Sequence, residues 1–171
     1  MNLLIEKTLF KESITYISPI FNDRRGSFQR LLCTDQLKNF NIKIKQINYS
    51  NNIKKGTIRG MHYQAYPKSE IRIVRCVKGS IYDVIIDMRK NSKKYLQWFG
   101  VKLSKTNQRS IIVPKGFAHG FQTLSDNCEI VYFHTATYDE KFQKTVNYAD
   151  QRIKIKWPLK ITSISNKDLN S

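Results

Sequence analysis

Extended, β-rich runs of apolar residues broken by single polar ones dominate this chain. Residues 71–77 read Ile-Arg-Ile-Val-Arg-Cys-Val, and residues 80–88 read Ser-Ile-Tyr-Asp-Val-Ile-Ile-Asp-Met. Two such β-rich runs around Lys78-Gly79 predict a hairpin. Further strands are predicted over 43–49, 57–64, 96–103, 110–113, 119–124 and 129–135. Gly, Pro, Asn or Ser separate most of them at short intervals, a rhythm that favours a sandwich or barrel over a parallel α/β sheet. Helical signals are few. Thr34–Phe40 forms one candidate with Thr34 as N-cap, and Ser165–Asp168 has capping-box spacing. Without an internal repeat or a linker, residues 1–171 read as one mostly antiparallel domain.

Composition narrows this picture. Hydrophobic residues make up 40% of the 171 positions, enough to build a packed core. No apolar run approaches the roughly 18 residues that span a membrane. The N-terminal apolar run, Leu3 to Ile5, is too short for a secretory signal, so export by that route is not expected. Three scattered cysteines, Cys33, Cys76 and Cys128, fit neither a disulfide framework nor a zinc knuckle, and a reduced, cytoplasmic protein is expected. Cys76 and Cys128 lie in strand-like runs, where a free thiol is usually a small buried hydrophobe.

Lys and Arg total 30 against 13 Asp and Glu, so the formal charge is 30 − 13 = +17. Such an excess attracts anions, with nucleic acid, acidic lipid and phosphorylated metabolites as candidates. Lys and Asn are abundant throughout, which points to compositional background together with a small phosphate site. Lys43-Ile-Lys45 and Arg152-Ile-Lys-Ile-Lys156 alternate charge with isoleucine, the ordinary solvated face of a strand. A nucleic-acid surface would interleave aromatics with its basic residues instead.

Chemistry-bearing residues are sparse and therefore informative. The three histidines, His62, His119 and His134, each lie in or beside a strand-like run. His62 sits in Gly56-Thr-Ile-Arg-Gly-Met-His-Tyr-Gln64, and strict alternation would send Arg59 and His62 to opposite faces. A bulge at Gly60 would turn both inward. His119 lies in Pro114-Lys-Gly-Phe-Ala-His-Gly-Phe121, where Pro and Gly build a rigid turn before a strand. Asp83 shares a strand face with Ile81 and Ile85. There it needs a partner such as histidine, unless it reaches solvent at a sheet edge. Tyr132 shares a face with Ile130 and His134, either as core or as a proton donor in a cavity. Arg72 shares one with Val74 and Cys76, an unusual place for guanidinium without an anion or carboxylate. Phosphate-loop, dinucleotide-binding and nucleophile-elbow signatures are missing. So is a His-x-His pair, since position 64 is Gln, and a metal site would require all three histidines to converge.

Six segments in order carry a family resemblance: Phe21-Asn-Asp-Arg-Arg-Gly-Ser-Phe28, Gln46-Ile-Asn-Tyr-Ser50, Gly56–Gln64, Val74-Arg-Cys, Asp83-Val-Ile-Ile-Asp-Met-Arg89 and Pro114–Phe121. Together they resemble the dTDP-4-dehydrorhamnose 3,5-epimerase family from about residue 18 to the Ser165–Asp168 tail. The resemblance implies an all-β cupin jelly roll, a double-stranded β-helix with a few short helices. It implies a homodimer that needs no metal and no organic cofactor. It further implies action on a nucleotide-diphosphate 4-keto-6-deoxy sugar with inversion of the carbons flanking the ketone, in deoxysugar supply for lipopolysaccharide or capsule. By resemblance His62 is the base, oriented by Asp168, and Tyr132 is the acid on the other face of the sugar. His119 pairs with Asp83 near the ketone. Arg25, Gln46 and Arg59 resemble diphosphate or sugar contacts, Tyr138 a base-stacking residue, and Lys167 a substrate contact. Specific nucleic-acid or membrane partners are not expected.

Three positions depart from the family pattern: Arg72 stands for Lys, Arg30 for Glu, and Gln143 for a frequent Glu. The acid–base set is kept while the binding rim differs. A single-centre epimerase, a GDP- or CDP-linked or heptose substrate, and a cupin 3,4-keto-sugar isomerase are therefore alternatives. So is a non-catalytic binding module.

Overall fold

The computed structural model describes residues 2–170; residues 1 and 171, the two ends of the expected domain, lie outside them. The chain opens with β1 (Leu4–Lys7) and β2 (Ile14–Ile17), then a small hairpin, β3 (Ile20–Asp23) and β4 (Gly26–Gln29). A 3₁₀ segment at Thr34–Phe40 leads to β5 (Gln46–Asn52), β6 (Ile58–Gln64), β7 (Arg72–Lys78) and β8 (Ser80–Asp87). Then come β9 (Trp98–Ser104), β10 (Arg109–Val113), β11 (Phe117–Thr123), β12 (Cys128–His134) and β13 (Gln143–Thr145). A four-residue helix, α1 (Asn166–Leu169), closes the chain.

Two antiparallel sheets result. One runs β1-β2-β10-β7-β12-β5 and the other β13-β6-β11-β8-β9. The eight strands β5 to β12 thus make the expected jelly roll, four per sheet. Val74, Cys76, Ile81, Ile85, Leu103, Ile111, Phe121 and Ile130 point between the sheets and form the main core. As expected, Cys76 and Cys128 are buried. The back of the first sheet is covered by Leu37 of the 3₁₀ segment, and the back of the second by Ile153, Ile155 and Trp157. Among the described residues no helix is long and apolar enough to cross a membrane.

Four expectations need correction. The runs at 71–77 and 80–88 do not pair as a hairpin: β7 and β8 belong to different sheets. Gly79, at φ +74°, turns the chain from one sheet to the other, and a Cβ there would lie 2.8 Å from Cys128 Sγ. Thr34 is not a cap; Cys33 holds the capping position with no side-chain hydrogen bond. Arg152–Lys156 is an irregular segment, not a strand, and its alternation instead buries Ile153 against the second sheet. The strand expected over 43–49 is observed three residues later, at Gln46–Asn52, because pairing with β12 continues to Asn51 and Asn52 despite their poor β-propensity.

Candidate active site

The apolar core fills part of the space between the sheets, and a cavity of about 870 Å³ occupies the rest. That is ample for a small-molecule ligand. Its walls mix polar with apolar side chains such as Ile58 and Phe121, and each polar side chain arrives there for a local reason.

β6 contributes both Arg59 and His62. His119 pairs with His62 and Phe121 with Arg59, so three steps along β6 meet two along β11. The extra residue is a bulge that brings both side chains inward. Gly60 makes it possible, at φ +115°, with its backbone packed so closely that a Cβ would sit 2.6 Å from Gly120 Cα.

α1 delivers the partner of His62. Ser165 caps the helix, its Oγ accepting from the Asp168 N–H at 3.2 Å. Asp168, 3% exposed, places Oδ1 at 2.6 Å from His62 Nε2, while Oδ2 accepts the Gly60 N–H at 3.2 Å. Burial works to raise the Asp168 pKa, but the hydrogen bond and charge of His62, with the Gly60 and Ser165 contacts, hold it below the usual carboxylate range. A carboxylate accepts, so His62 carries its proton on Nε2. Nδ1 then has no hydrogen bond among the described residues and is the nitrogen offered to the cavity.

A second pair lies beside the first. His119 Nε2 is 2.8 Å from Asp83 Oδ2, and both residues are buried. Burial favours the neutral imidazole and lowers the His119 pKa; burial also raises that of Asp83, with the histidine pulling against it. Arg72 Nη1 lies 3.2 Å from His119 Nδ1, and Nη2 donates to Glu70 Oε1 at 2.9 Å.

The facing sheet supplies Tyr132 from β12. Its hydroxyl is 3.2 Å from Ser50 Oγ. Asn52 Nδ2 donates to the same Ser50 oxygen at 3.2 Å, and Arg59 Nε donates to Asn52 Oδ1 at 2.6 Å. Burial pushes the phenol up to about 12, although Ser50, Arg72 and Arg59 each pull it down. Tyr132 is therefore a neutral donor at ordinary pH. Imidazole and phenol stand on opposing walls, since β6 and β12 belong to facing sheets.

At the rim, Gln46 Oε1 accepts the Tyr138 N–H at 2.8 Å, and Gln143 Oε1 takes both the Tyr138 hydroxyl at 2.5 Å and Lys167 Nζ at 3.1 Å. The cavity thus gathers His62, Asp168, Tyr132, His119, Arg59, Arg72, Gln46, Tyr138 and Lys167, with Asp83 directly behind His119. Arg25 is the exception. It sits at the tip of the β3/β4 hairpin, outside the cavity walls, with its guanidinium folded onto Asp23 at 2.6 Å. Arg30 is likewise exposed and away from the cavity.

All three histidines do converge on the cavity, but each turns onto its own carboxylate: Asp168, Asp83 and, for His134, Glu70 at 2.9 Å. Among the described residues no group of three His, Cys, Asp or Glu could hold a metal ion. Glu70 and Asn52 lie outside every segment quoted above, and Asn48 and Ser50 lie within Gln46–Ser50 without a role assigned to them. A signal existed nonetheless: Gln46, Asn48, Ser50 and Asn52 recur every second residue, which marks one polar face of β5. Glu70 likewise precedes Arg72 by two.

Comparison with known proteins finds relatives over nearly the whole chain. Residues 7–171 match the family model described as dTDP-4-dehydrorhamnose 3,5-epimerase. An enzyme of that name from Shigella flexneri is 35% identical over 99% of this chain and 94% of its own. One from Methanothermobacter thermautotrophicus is 36% identical over 96% and 90%. Among solved structures, the Legionella pneumophila dTDP-6-deoxy-D-glucose-3,5-epimerase, in complex with dTDP-4-keto-L-rhamnose, superposes with a TM-score of 0.93 at 32% identity, covering 99% of this chain and 92% of that one. The Bacillus anthracis dTDP-4-dehydrorhamnose 3,5-epimerase, with TDP and pyrophosphate bound, gives 0.91 at 35% identity over 98% and 97%. The chain belongs to the dTDP-4-dehydrorhamnose 3,5-epimerase family.

Proposed function

We propose that the cavity epimerises a nucleotide-diphosphate 4-keto-6-deoxyhexose, as a dTDP-4-dehydrorhamnose 3,5-epimerase does. The ketone acidifies the hydrogens on its two neighbouring carbons, because the charge left behind delocalises onto oxygen. His62 Nδ1 removes one such proton as base, and the C–H electron pair becomes the enolate. Asp168 fixes the His62 tautomer and stabilises the imidazolium, by the logic of a catalytic dyad. Arg72 supplies fixed positive charge for the enolate oxygen, with His119 and Asp83 behind it. Tyr132 then donates its proton to the opposite face of the same carbon, and the configuration inverts. Solvent restores both groups, with Ser50 beside the phenolate. No step in this scheme calls on an electron acceptor.

The observation that carries this reading is the placement of the His62–Asp168 pair and Tyr132 on opposing walls of one cavity. Sheets that pack face to face stand about 10 Å apart, which leaves room for one sugar ring between such groups. A 3,4-keto-sugar isomerase also needs a base but has no use for a donor on the other face, so Tyr132 favours epimerisation. Arg59, Gln46, Lys167 and Tyr138 are assigned to the diphosphate and the base. Heavy-water exchange with a nucleotide-4-keto-6-deoxyhexose tests the assignment.

The same reading makes residues 1–171 a single cytoplasmic domain in deoxysugar supply, working as a homodimer. Exposed Phe21 and Phe28 on the hairpin, Phe28 at 65%, and the outer edge of β1 are surfaces a second copy would cover. Arg25 contributes to substrate binding only if that hairpin reaches the cavity of the second copy.

A further inference from the structure

The third histidine–carboxylate pair has no part in the scheme above. Glu70 precedes β7, is 8% exposed, and divides its two oxygens between two partners. Oε1 accepts from Arg72 Nη2 at 2.9 Å, and Oε2 binds His134 Nδ1 at 2.9 Å. Arg72 then lies 3.2 Å from His119 Nδ1, and His119 Nε2 is 2.8 Å from Asp83. A guanidinium only donates. His119 Nδ1 is therefore an acceptor, its proton sits on Nε2, and Asp83 accepts the hydrogen bond from that N–H. Arg72 thus donates both ways, to Glu70 and to His119, and Glu70 is the acceptor that ends the run opposite Asp83. Arg72 Nε is buried with no hydrogen bond among the described residues, so the orientation of this long side chain depends on its two Nη contacts.

We propose that Glu70 is a positioning residue: it clamps Arg72 so that the guanidinium locks His119 in its neutral tautomer and stands where the enolate oxygen forms. This rests on the epimerase reading for its effect on turnover, but the effect on His119 does not. His134 completes the clamp by occupying the second carboxylate oxygen. Burial would raise the Glu70 pKa, yet the His134 hydrogen bond and the Arg72 charge hold it below the usual range. The clamp therefore stays anionic at neutral pH.

Glu70→Gln is nearly isosteric. Its amide oxygen remains only a neutral, weaker acceptor for Arg72, and its NH₂ can donate to His134 once that tautomer exchanges, so the fold is kept while the charge-assisted clamp on the guanidinium is loosened. With a dTDP-4-keto-6-deoxyhexose, kcat should fall about tenfold or more with KM within about twofold, because a misplaced group costs rate rather than affinity. Glu70→Asp should recover part of the loss. In an Arg72→Ala background, Glu70→Gln should add no further loss, since the group it positions is gone. In the free protein, ¹⁵N resonances of the His119 ring should show a hydrogen-bonded Nδ1 in the wild type, moving toward the unbonded value in Glu70→Gln. An unchanged kcat, the same fold-loss in both backgrounds, or an unchanged His119 signal would overturn the proposal. A wild type inert on every nucleotide sugar would instead sink the epimerase reading, and the ¹⁵N measurement would still decide the role of Glu70.

Discussion

Arg59 and His62 line the same cavity although they are three residues apart on one strand, a spacing that strict alternation would send to opposite faces. The bulge at Gly60 reconciles them, and the backbone there lies against His119 and Gly120 of β11. Gly60→Ala should consequently damage both fold and site. The new Cβ would meet Gly120 Cα at 2.6 Å and the His119 carbonyl at 2.7 Å, both backbone atoms, at a φ of +115°. A loss of at least about 2 kcal/mol is expected in urea unfolding, since strain and overlap add. Turnover per folded molecule should fall as well.

Asp168 reaches His62 from 106 residues away, at the end of the chain. Asp168→Asn preserves the shape but removes the charge that stabilises the imidazolium. Steady-state assays should show kcat lower by roughly 10² to 10⁴, with a far smaller change in KM. Truncation before Ser165 should do the same, because α1 carries the carboxylate in.

The depressed carboxyls give the stability a definite acid limb. Asp168 and Glu70 both have folded-state pKa values below their unfolded ones. As pH falls, the unfolded chain takes up protons first, so stability rises with pH in this window. It should be fully present above the ordinary carboxyl range of about 4 and be lost as pH falls through the folded values. Thermal melts between neutral and strongly acid pH should show a shallower acid limb for Asp168→Asn than for the wild type.

Tyr132 should titrate late. Burial pushes its pKa up to about 12. The difference in phenolate absorbance between the wild type and Tyr132→Phe should therefore stay near zero through pH 10 and grow only above it. A phenol that ionises near 9 would be a poor match for this buried environment.

Much of the fold was legible because the inner strands are short β-rich runs bounded by turn residues. The eight predicted runs all appear as strands, displaced by up to three residues at their ends. What failed was pairing. Gly79 carries the same turn signal whether the chain doubles back within a sheet or crosses to the next one, and local sequence does not distinguish them. β1 to β4 escaped because each has four residues, too few to set up a period. At the site, burial cost asks Asp83 for a partner such as a histidine, the family resemblance names His119, and the two stand 2.8 Å apart. Sequence alone does not place Arg59 and His62 on one face, because the register shift between His119 and Phe121 is set by the partner strand. Glu70 stayed hidden because it lies just outside the predicted 71–77 strand, and one of its two partners, His134, comes from a strand 64 residues further on. The charge of +17 was uninformative about the cavity, whose three histidines are each matched by an acid.

The central claim is that one base and one acid act on opposite faces of the same sugar. Proton NMR in heavy water, with a dTDP-4-keto-6-deoxyhexose, measures both halves at once. The wild type should place deuterium at C3, C5 or both, with inversion; His62→Asn should abolish exchange, and Tyr132→Phe should lose inversion more than washout. Equal exchange and inversion in all three proteins would contradict the account.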